Sequence, residues 1–257
     1  MSTAAPRRPA SVPEWRQILS VTRLEMTSYL RSWGGLLFVL LMPTALLLIA
    51  LGVWYPTEAR QITVPDMAVM SVLASGLFSI GVAVTEQRKD GTLKTYLSSP
   101  LRARTYLAGQ VLDRVVVTFT GNIVMLLVAW LAFDITSTGS LLLYLVMATL
   151  SLATMLSFGF LLASRFKTIE TAGALSSVIF FAVMIGSGFF MDPSRFPGWL
   201  KTVVDVLPFK PIVDGMRATW SDPDLAGVGV DMLIVSTWFV VFLVGAARLF
   251  RWTPDDR

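Results

Sequence analysis

Chemistry in a protein needs groups that hold a proton, a metal or an electron pair, and this chain is short of them. Cysteine and histidine are both absent from its 257 residues. That excludes disulfides, Cys/His metal sites, imidazole acid–base work and the Ser-His-Asp and Cys-His triads. The carboxylates are scattered. Glu86, Asp113 and Glu170 stand at the ends of apolar runs, and none lies near the middle of one, where a proton- or sodium-driven carrier places its ionisable groups. Asp192 with Asp205, and Asp222 with Asp224, are too isolated to argue for an acid–base or metal-bridged pair and read as solvated loop carboxylates. There is no glycine-rich loop followed by Lys-Ser/Thr, so the chain is not expected to cradle nucleotide phosphates. The expectation is a chain that is not an enzyme, with no catalytic residue, no metal ligand and no cofactor of its own.

What remains is one charged stretch, residues 85–104, set between long apolar segments and holding five of the 21 Lys and Arg residues. Gly91 can end one helix and Pro100 can stop the next. Between them, residues 92–99 have room for a short helix with Leu93, Tyr96 and Leu97 on one face. Arg88, Lys89, Lys94, Arg102 and Arg104 surround that apolar knob. The excess of basic residues found on the cytoplasmic side of membrane proteins already explains the charges. It does not explain Gly91, Leu93, Leu97 and Pro100, which fit a segment that docks on a partner.

The elements that must position this stretch are membrane helices. The chain is 54% hydrophobic and only 15% charged, where a soluble domain is about a quarter charged. Apolar runs near the ~20 residues needed to cross a bilayer recur along it. The fold class is therefore all-α integral membrane, with six transmembrane helices, an N-terminal amphipathic interfacial helix and a re-entrant helical segment before the last span. Residues 1–12 read as a disordered cytoplasmic tail; Arg7-Arg8 looks like a twin-arginine signal, but Pro9 follows and the apolar core is far away. Residues 13–33 form the amphipathic helix, opened by a Ser11-to-Glu14 capping box. The same pattern also suits a helix packed on its own spans. Residues 34–250 are the transmembrane domain, with spans at 34–54, 67–85, 115–133, 141–164, 171–191 and 232–247 and an outer loop at 56–65. The last of these is short for a bilayer, so Asp231 and Arg248 are expected to snorkel or the membrane to thin. Residues 192–230 are too long for a turn. Two short apolar pieces, 199–207 and 212–220, are cut out by Pro197, Pro208 and Pro223 and fit helices that dip into the outer leaflet and return. Residues 251–257 are a second tail. Sixteen of the 21 basic residues fall on the side of both termini and five on the other, which places both termini in the cytoplasm of a multi-pass protein of the plasma (inner) membrane. The pI of about 9.6 then reports lipid headgroups and topology, and no nucleic-acid partner is expected. Asn122, Ser151, Thr154, Ser176 and Ser177 are candidates to line a path; the alternative is bonding across helices or back to their own backbone. Phe180 and Phe181 suit a gate or a dimer seam, or ordinary packing.

Glu86-Gln87-Arg88-Lys89-Asp90-Gly91-Thr92-Leu93, followed by Leu97-Ser98-Ser99-Pro100-Leu101, resembles the cytoplasmic loop of ABC-2 type exporter permeases, with Gln87 where that family often has Arg. Phe196-Pro197-Gly198-Trp199-Leu200, Leu207-Pro208-Phe209 and Asp214-Gly215-Met216-Arg217 resemble the family's outer segment. The resemblance extends over essentially the whole chain and is to the antibiotic-resistance type. It implies a permease subunit of an ATP-binding cassette exporter. ATP and Mg would sit on a separate ATPase, two copies of which engage the 86–104 loop through Glu86, Gly91, Thr92, Leu93, Tyr96, Leu97, Pro100 and Leu101. It further implies a second permease (a homodimer or a sister chain), contact with membrane lipids, a small-molecule or lipid cargo, and an outer segment built around Pro197, Trp199, Pro208, Asp214 and Arg217. The alternatives are an exporter of polysaccharide or lipid-linked glycan, a non-transporting scaffold whose basic loop recruits a soluble partner, and a secondary carrier.

Overall fold

The structure, a computed structural model, describes residues 13–31, 42–54, 60–91, 103–189, 195–225 and 227–249. Over these residues it is helical, with no strand. Helix α1 is Glu14–Arg31; α2 is Met42–Ile49, which runs on as a π-helical Ala50–Trp54. Helix α3 (Arg60–Ala74), a π-helical segment Ser75–Val82 and α4 (Ala83–Lys89) follow without a break. Then come α5 (Ala103–Phe133), α6 (Leu141–Ala163), α7 (Ile169–Gly186), α8 (Gly198–Val206), α9 (Phe209–Ser221) and α10 (Val228–Leu249).

Among the described residues, five helical stretches are long and apolar enough to cross a bilayer: Gln61–Lys89, Thr105–Phe133, Leu141–Ala163, Ile169–Gly186 and Val228–Leu249. The expected first span is described only over its second half, where Met42–Val53 is a shorter apolar helix; residues 34–41 lie outside the described residues, as do both tails. Three boundaries differ from expectation. Residues 60–65, expected as loop, are the first turns of α3, and Pro65 sits inside the helix. Pro65 is the sixth residue of the helix, past the first turn whose N–H groups are free in any case, so it supplies no N–H to the Gln61 carbonyl one turn back. Helix α5 starts at Ala103 and not near 115, so at 31 residues it is about 46 Å long and outreaches the ~30 Å hydrocarbon core. Helix α10 has 22 residues, about 33 Å, so Asp231 and Arg248 lie in its end turns and no thinning of the membrane is required.

Helix α6 is the centre of the bundle. It is buried along Tyr144, Met147, Ser151, Leu152, Met155 and Phe160, with the second span on one side and α10 on another. The closest approach is glycine on glycine. A Cβ at Gly76 would stand 2.3 Å from the Met155 carbonyl oxygen, and one at Gly159 2.0 Å from the Gly76 carbonyl oxygen. Helices in lipid gain no hydrophobic free energy by meeting each other, so close backbone packing supplies the attraction instead. The outward positions are apolar too: Leu131 is 74% exposed and Leu142 72%, a cost in water and none in lipid. Helix α1 packs on the N-terminal extension of α5. Val21 fills the space a side chain at Gly109 would take, and the Thr22 hydroxyl reaches the Gly109 carbonyl at 3.2 Å. Trp15 and Leu19, one turn apart, stay exposed beside Arg16.

Candidate functional site

The charged stretch is anchored at both ends. Helix α4 closes with Glu86, Gln87, Arg88 and Lys89, and the Asp90 N–H donates to the Glu86 carbonyl at 2.9 Å. Gly91 follows at φ +75°, with nothing within 4 Å of where a Cβ would lie. Glycine is therefore required by the left-handed backbone that ends the helix, and not by space. Thr92, Leu93, Tyr96, Leu97, Pro100 and Leu101 lie outside the described residues. Glu86 is exposed, and Lys89 stands 3.8 Å from the exposed Glu170, a pair of little energetic weight.

Arg88 is not a solvated charge. It is 8% exposed, and its guanidinium donates to the Ala163 carbonyl at 2.8 Å and the Phe166 carbonyl at 3.4 Å. These are carbonyls at and beyond the end of α6, which the helix itself leaves without partners. The end of α4 is thereby stitched to the end of α6. On its other side, the buried Tyr106 hydroxyl donates to Gln87 Oε1, and Gln110 Nε2 donates to the Tyr106 oxygen at 2.9 Å. That ties α4 to the first turns of α5. The Thr105 hydroxyl donates to Glu14 at 3.1 Å and ties α5 to α1. Gln87, the departure from the family's Arg, here acts as an acceptor, which an arginine cannot be. One turn further along α5, Asp113 is fully buried with Arg114 Nε 3.5 Å from it. Glu25 of α1 faces this pair; burial pushes its carboxyl above the ordinary range, with Arg114 pulling it back and Asp113 adding to the rise.

The outer segment divides into a fixed half and a loosely held half. Pro197 and Pro208 open α8 and α9; proline's preset φ suits the start of a helix and its missing N–H costs nothing there. Helix α9 buries Ile212, Val213, Met216 and Trp220. Its Arg217 makes a two-pronged ion pair with Asp66 of α3 at 2.5 and 2.8 Å and also reaches the Gly188 carbonyl at 3.4 Å. The far end of α9 is capped by the outer turn. The N–H groups of Thr138 and Gly139 donate to the Trp220 carbonyl at 3.1 and 2.9 Å, and that of Ser140 to the Thr219 carbonyl at 2.9 Å. Asp214 accepts from Lys210 at 2.6 Å, and Asp205 lies 3.4 Å from the same lysine. Burial pulls the Lys210 pKa down, but Asp214 and Asp205 outweigh it and the net shift is upward. Helix α8 has no fully buried residue; Trp199 is 71% exposed. Between α8 and α7 lies an apolar cavity of about 340 Å³, lined by Ile179, Val183, Gly186, Leu200, Val204 and Phe209 among others.

The polar residues proposed to line a path make separate contacts. The Thr154 hydroxyl bonds its own helix at Leu150 and crosses to the Val235 carbonyl at 3.4 Å. Ser176 crosses to the Leu77 carbonyl at 3.2 Å, and Ser177 bonds back to Gly173. Ser151 Oγ and Asn122 Oδ1 are buried with no hydrogen-bond partner among the described residues. Phe180 packs against Phe78, ring centres 5.7 Å apart, and Phe181 faces outward. Asp66, Tyr106 and Gln110 carry the most specific contacts, yet the sequence does not mark them. Asp66 follows a proline at a loop boundary, and the other two precede the expected start of their span.

The profile of the ABC-2 type transporter family matches residues 16–220, from α1 to the end of α9. The chain is 24% identical over 188 residues to the probable multidrug ABC transporter permease YbhR of Escherichia coli (strain K12), covering 72% of this chain and 50% of that protein. It is 23% identical over 202 residues to the putative transport permease YvfS of Bacillus subtilis (strain 168), covering 72% and 77%. It is 26% identical over 193 residues to ABC transporter G family member 20 of Dictyostelium discoideum, covering 72% and 26%. The chain spans about half the length of the Escherichia coli relatives it matches. A helical bundle with membrane-length spans, a charged stretch whose described residues bond to α5 and α6, and a two-helix segment after α7 lie within the matched residues, and the chain belongs to the ABC-2 type transporter family, whose members are multi-pass membrane permeases.

Proposed function

We propose that this chain is the membrane-spanning permease subunit of an ATP-binding cassette exporter that moves a drug-like or lipid substrate out of the cytoplasm. A separate ATPase, two copies per assembly with bound ATP and Mg, supplies the energy, and two permeases flank the path. In this reading six spans hold both termini in the cytoplasm, α1 lies along the inner leaflet, and α8 and α9 form a re-entrant lid on the outer side.

The observation that carries the reading is the fastening of the 86–104 stretch. Arg88 grips the end of α6, and Gln87 with Tyr106 and Gln110 grips the start of α5. A push on residues 92–100 by closing ATPases is delivered to two spans at once, because each contact is buried and hydrogen-bonded and so resists being pulled apart. On the outer side the cargo leaves past α8, the weakly held half of the lid, while α9 stays fixed to α3. The family likeness and the word multidrug in the name of the Escherichia coli relative support the drug-like class.

Deleting residues 92–100 while keeping both anchors tests this reading. Membrane insertion is expected to survive, while co-purification of the ATPase and ATP-dependent efflux are both lost. A deleted chain that still binds the ATPase and exports sinks the proposed coupling.

A further inference from the structure

Helices α1 and α5 lie side by side and run in the same direction. Thr105, Gly109 and Asp113 recur every four residues and form the stripe of α5 that faces α1. Their counterparts come in the same order. Glu14 accepts from Thr105 at 3.1 Å, Val21 and Thr22 sit on Gly109, and Glu25 faces Asp113 and the adjoining Arg114. The closest approach is at Gly109, where a Cβ would stand 2.6 Å from Val21 Cγ1. Glu25 is four residues past Val21, and Asp113 four past Gly109. One turn beyond the tightest part of the seam, two carboxyl groups are therefore set toward each other.

Two ionised groups do not tolerate that arrangement. Asp113 is 0% exposed, and neither of its oxygens accepts a hydrogen bond from the described residues, although a carboxylate has room for about four. Among the described residues Arg114 is the cation that acts on both acids, its Nε 3.5 Å from Asp113; Arg16 and Arg23 of α1 are exposed. One guanidinium balances one carboxylate. With both acids ionised the seam would carry a net negative charge away from water, and like charges in a dry site raise the affinity of one of them for a proton. A metal ion suits the seam poorly. Mg and Ca ask for about six oxygen ligands or more, and the described residues hold no group of three acidic side chains able to bind one.

We infer that Glu25 and Asp113 share a single proton, bound at a pH where free carboxylic acids have lost theirs, and that this proton clasps α1 to α5. One carboxyl donates toward the other, and Arg114 neutralises the charge that remains. Loss of the proton leaves two carboxylates to one guanidinium, and α1 lifts from its seat. A proton held more tightly with the helices together stabilises the seam at low pH, and that stabilisation is lost as pH rises through the pair's own value. In the proposed topology the clasp lies at the cytoplasmic end, so an alkaline cytoplasm releases α1.

The chain has no cysteine, so single cysteines report on the seam in the purified full chain. Val21→Cys probes a position 3% exposed between the helices, and Ser20→Cys an exposed one on the same helix. The ratio of their labelling rates with a thiol reagent cancels the thiol's own response to pH. It is expected to climb by about tenfold per pH unit above the ordinary glutamate value of about 4.3 and to level off beyond the pair's own value, as one proton released per opening requires. Glu25→Gln and Asp113→Asn each leave one acid for Arg114 and should hold the ratio low and flat. Infrared absorption gives a second readout that needs no opening. The C=O band of one protonated carboxyl should be present in the unsubstituted chain at about pH 6, above both ordinary carboxylate values, and missing from either variant. A flat ratio without those substitutions overturns the clasp, as does a rise that survives in both variants or a band that neither variant loses. Magnesium or calcium that lowers the ratio at high pH would assign the seam to a metal and overturn the shared proton. No transport is measured, so failure here leaves the exporter reading untouched.

Discussion

Cutting the Asp66–Arg217 pair should unlock the outer segment. Asp66 is 5% exposed and lies two turns into α3, and both of its oxygens are held by the guanidinium of Arg217, 151 residues away in sequence. Removing one member of a buried pair leaves the other as an uncompensated charge, at a cost of about 3–5 kcal/mol. The Arg217 side chain keeps 24% of its exposure, so Arg217→Met is placed at the lower end, about 3 kcal/mol. Asp66→Asn leaves an amide able to accept from the guanidinium and should cost less. In the double variant neither charge is orphaned, so its loss should fall short of the sum of the single losses by about 2 kcal/mol, within the range for residues in direct contact. Unfolding of the purified protein in mixed micelles, followed for wild type, both single variants and the double, gives the cycle. Labelling from the outer side of a cysteine placed at Met216, buried in α9 at 1% exposure, reports local loosening, and both single variants should raise its rate. If the losses simply add, or if the single variants unfold like wild type, the pair does not hold α9 to α3 and the fixed half of the lid is misassigned.

Arg88→Gln removes two charge-assisted bonds to the end of α6 and should destabilise that end of the bundle by about 2–3 kcal/mol; under the proposed function ATP turnover of the partner should continue while cargo movement slows, and unchanged coupling would contradict the stitched-loop account. Gly159→Ala puts a methyl 2.0 Å from the Gly76 carbonyl oxygen; the helices must separate, and a loss of at least about 1–3 kcal/mol is expected in thermal unfolding, whereas Gly173→Ala, where nothing lies within 4 Å, should be neutral or stabilising. Glu25 has its pKa raised, chiefly by burial, so its contribution to stability is full below the ordinary glutamate value of about 4.3 and is lost as pH rises through the raised value. Glu25→Gln keeps the uncharged form and should flatten that decline, making melting temperature less dependent on pH across the window; an identical pH profile in the variant would show that Glu25 is not buried against Asp113 and Arg114.

Fold class was legible because apolar run length and helix breakers are local signals. The two short helices of the outer segment fall within three residues of the apolar pieces between Pro197, Pro208 and Pro223, since Pro197 and Pro208 stand where proline's fixed φ suits a helix start. Boundaries failed where hydropathy and helix part company. Residues 103–114 are too polar to read as span, but they continue α5 beyond the membrane and give α1 its seat. The chemistry of the charged stretch was half legible. Gly91 was readable as a helix stop, because the left-handed conformation is a property of the residue itself. Arg88 was grouped with the solvated charges, because its partners are backbone carbonyls at the end of α6 that carry no mark in the sequence. Asp66 was hidden for the same reason: its meaning depends on Arg217, which only the tertiary fold brings near.

The central claim is that the chain moves cargo with ATP hydrolysed elsewhere. The direct measurement is export from cells expressing the chain with its ATPase, with ATP depleted while the proton gradient is held constant. The account predicts that export stops with the loss of ATP and returns when ATP is restored. Export that continues on the gradient alone would contradict it.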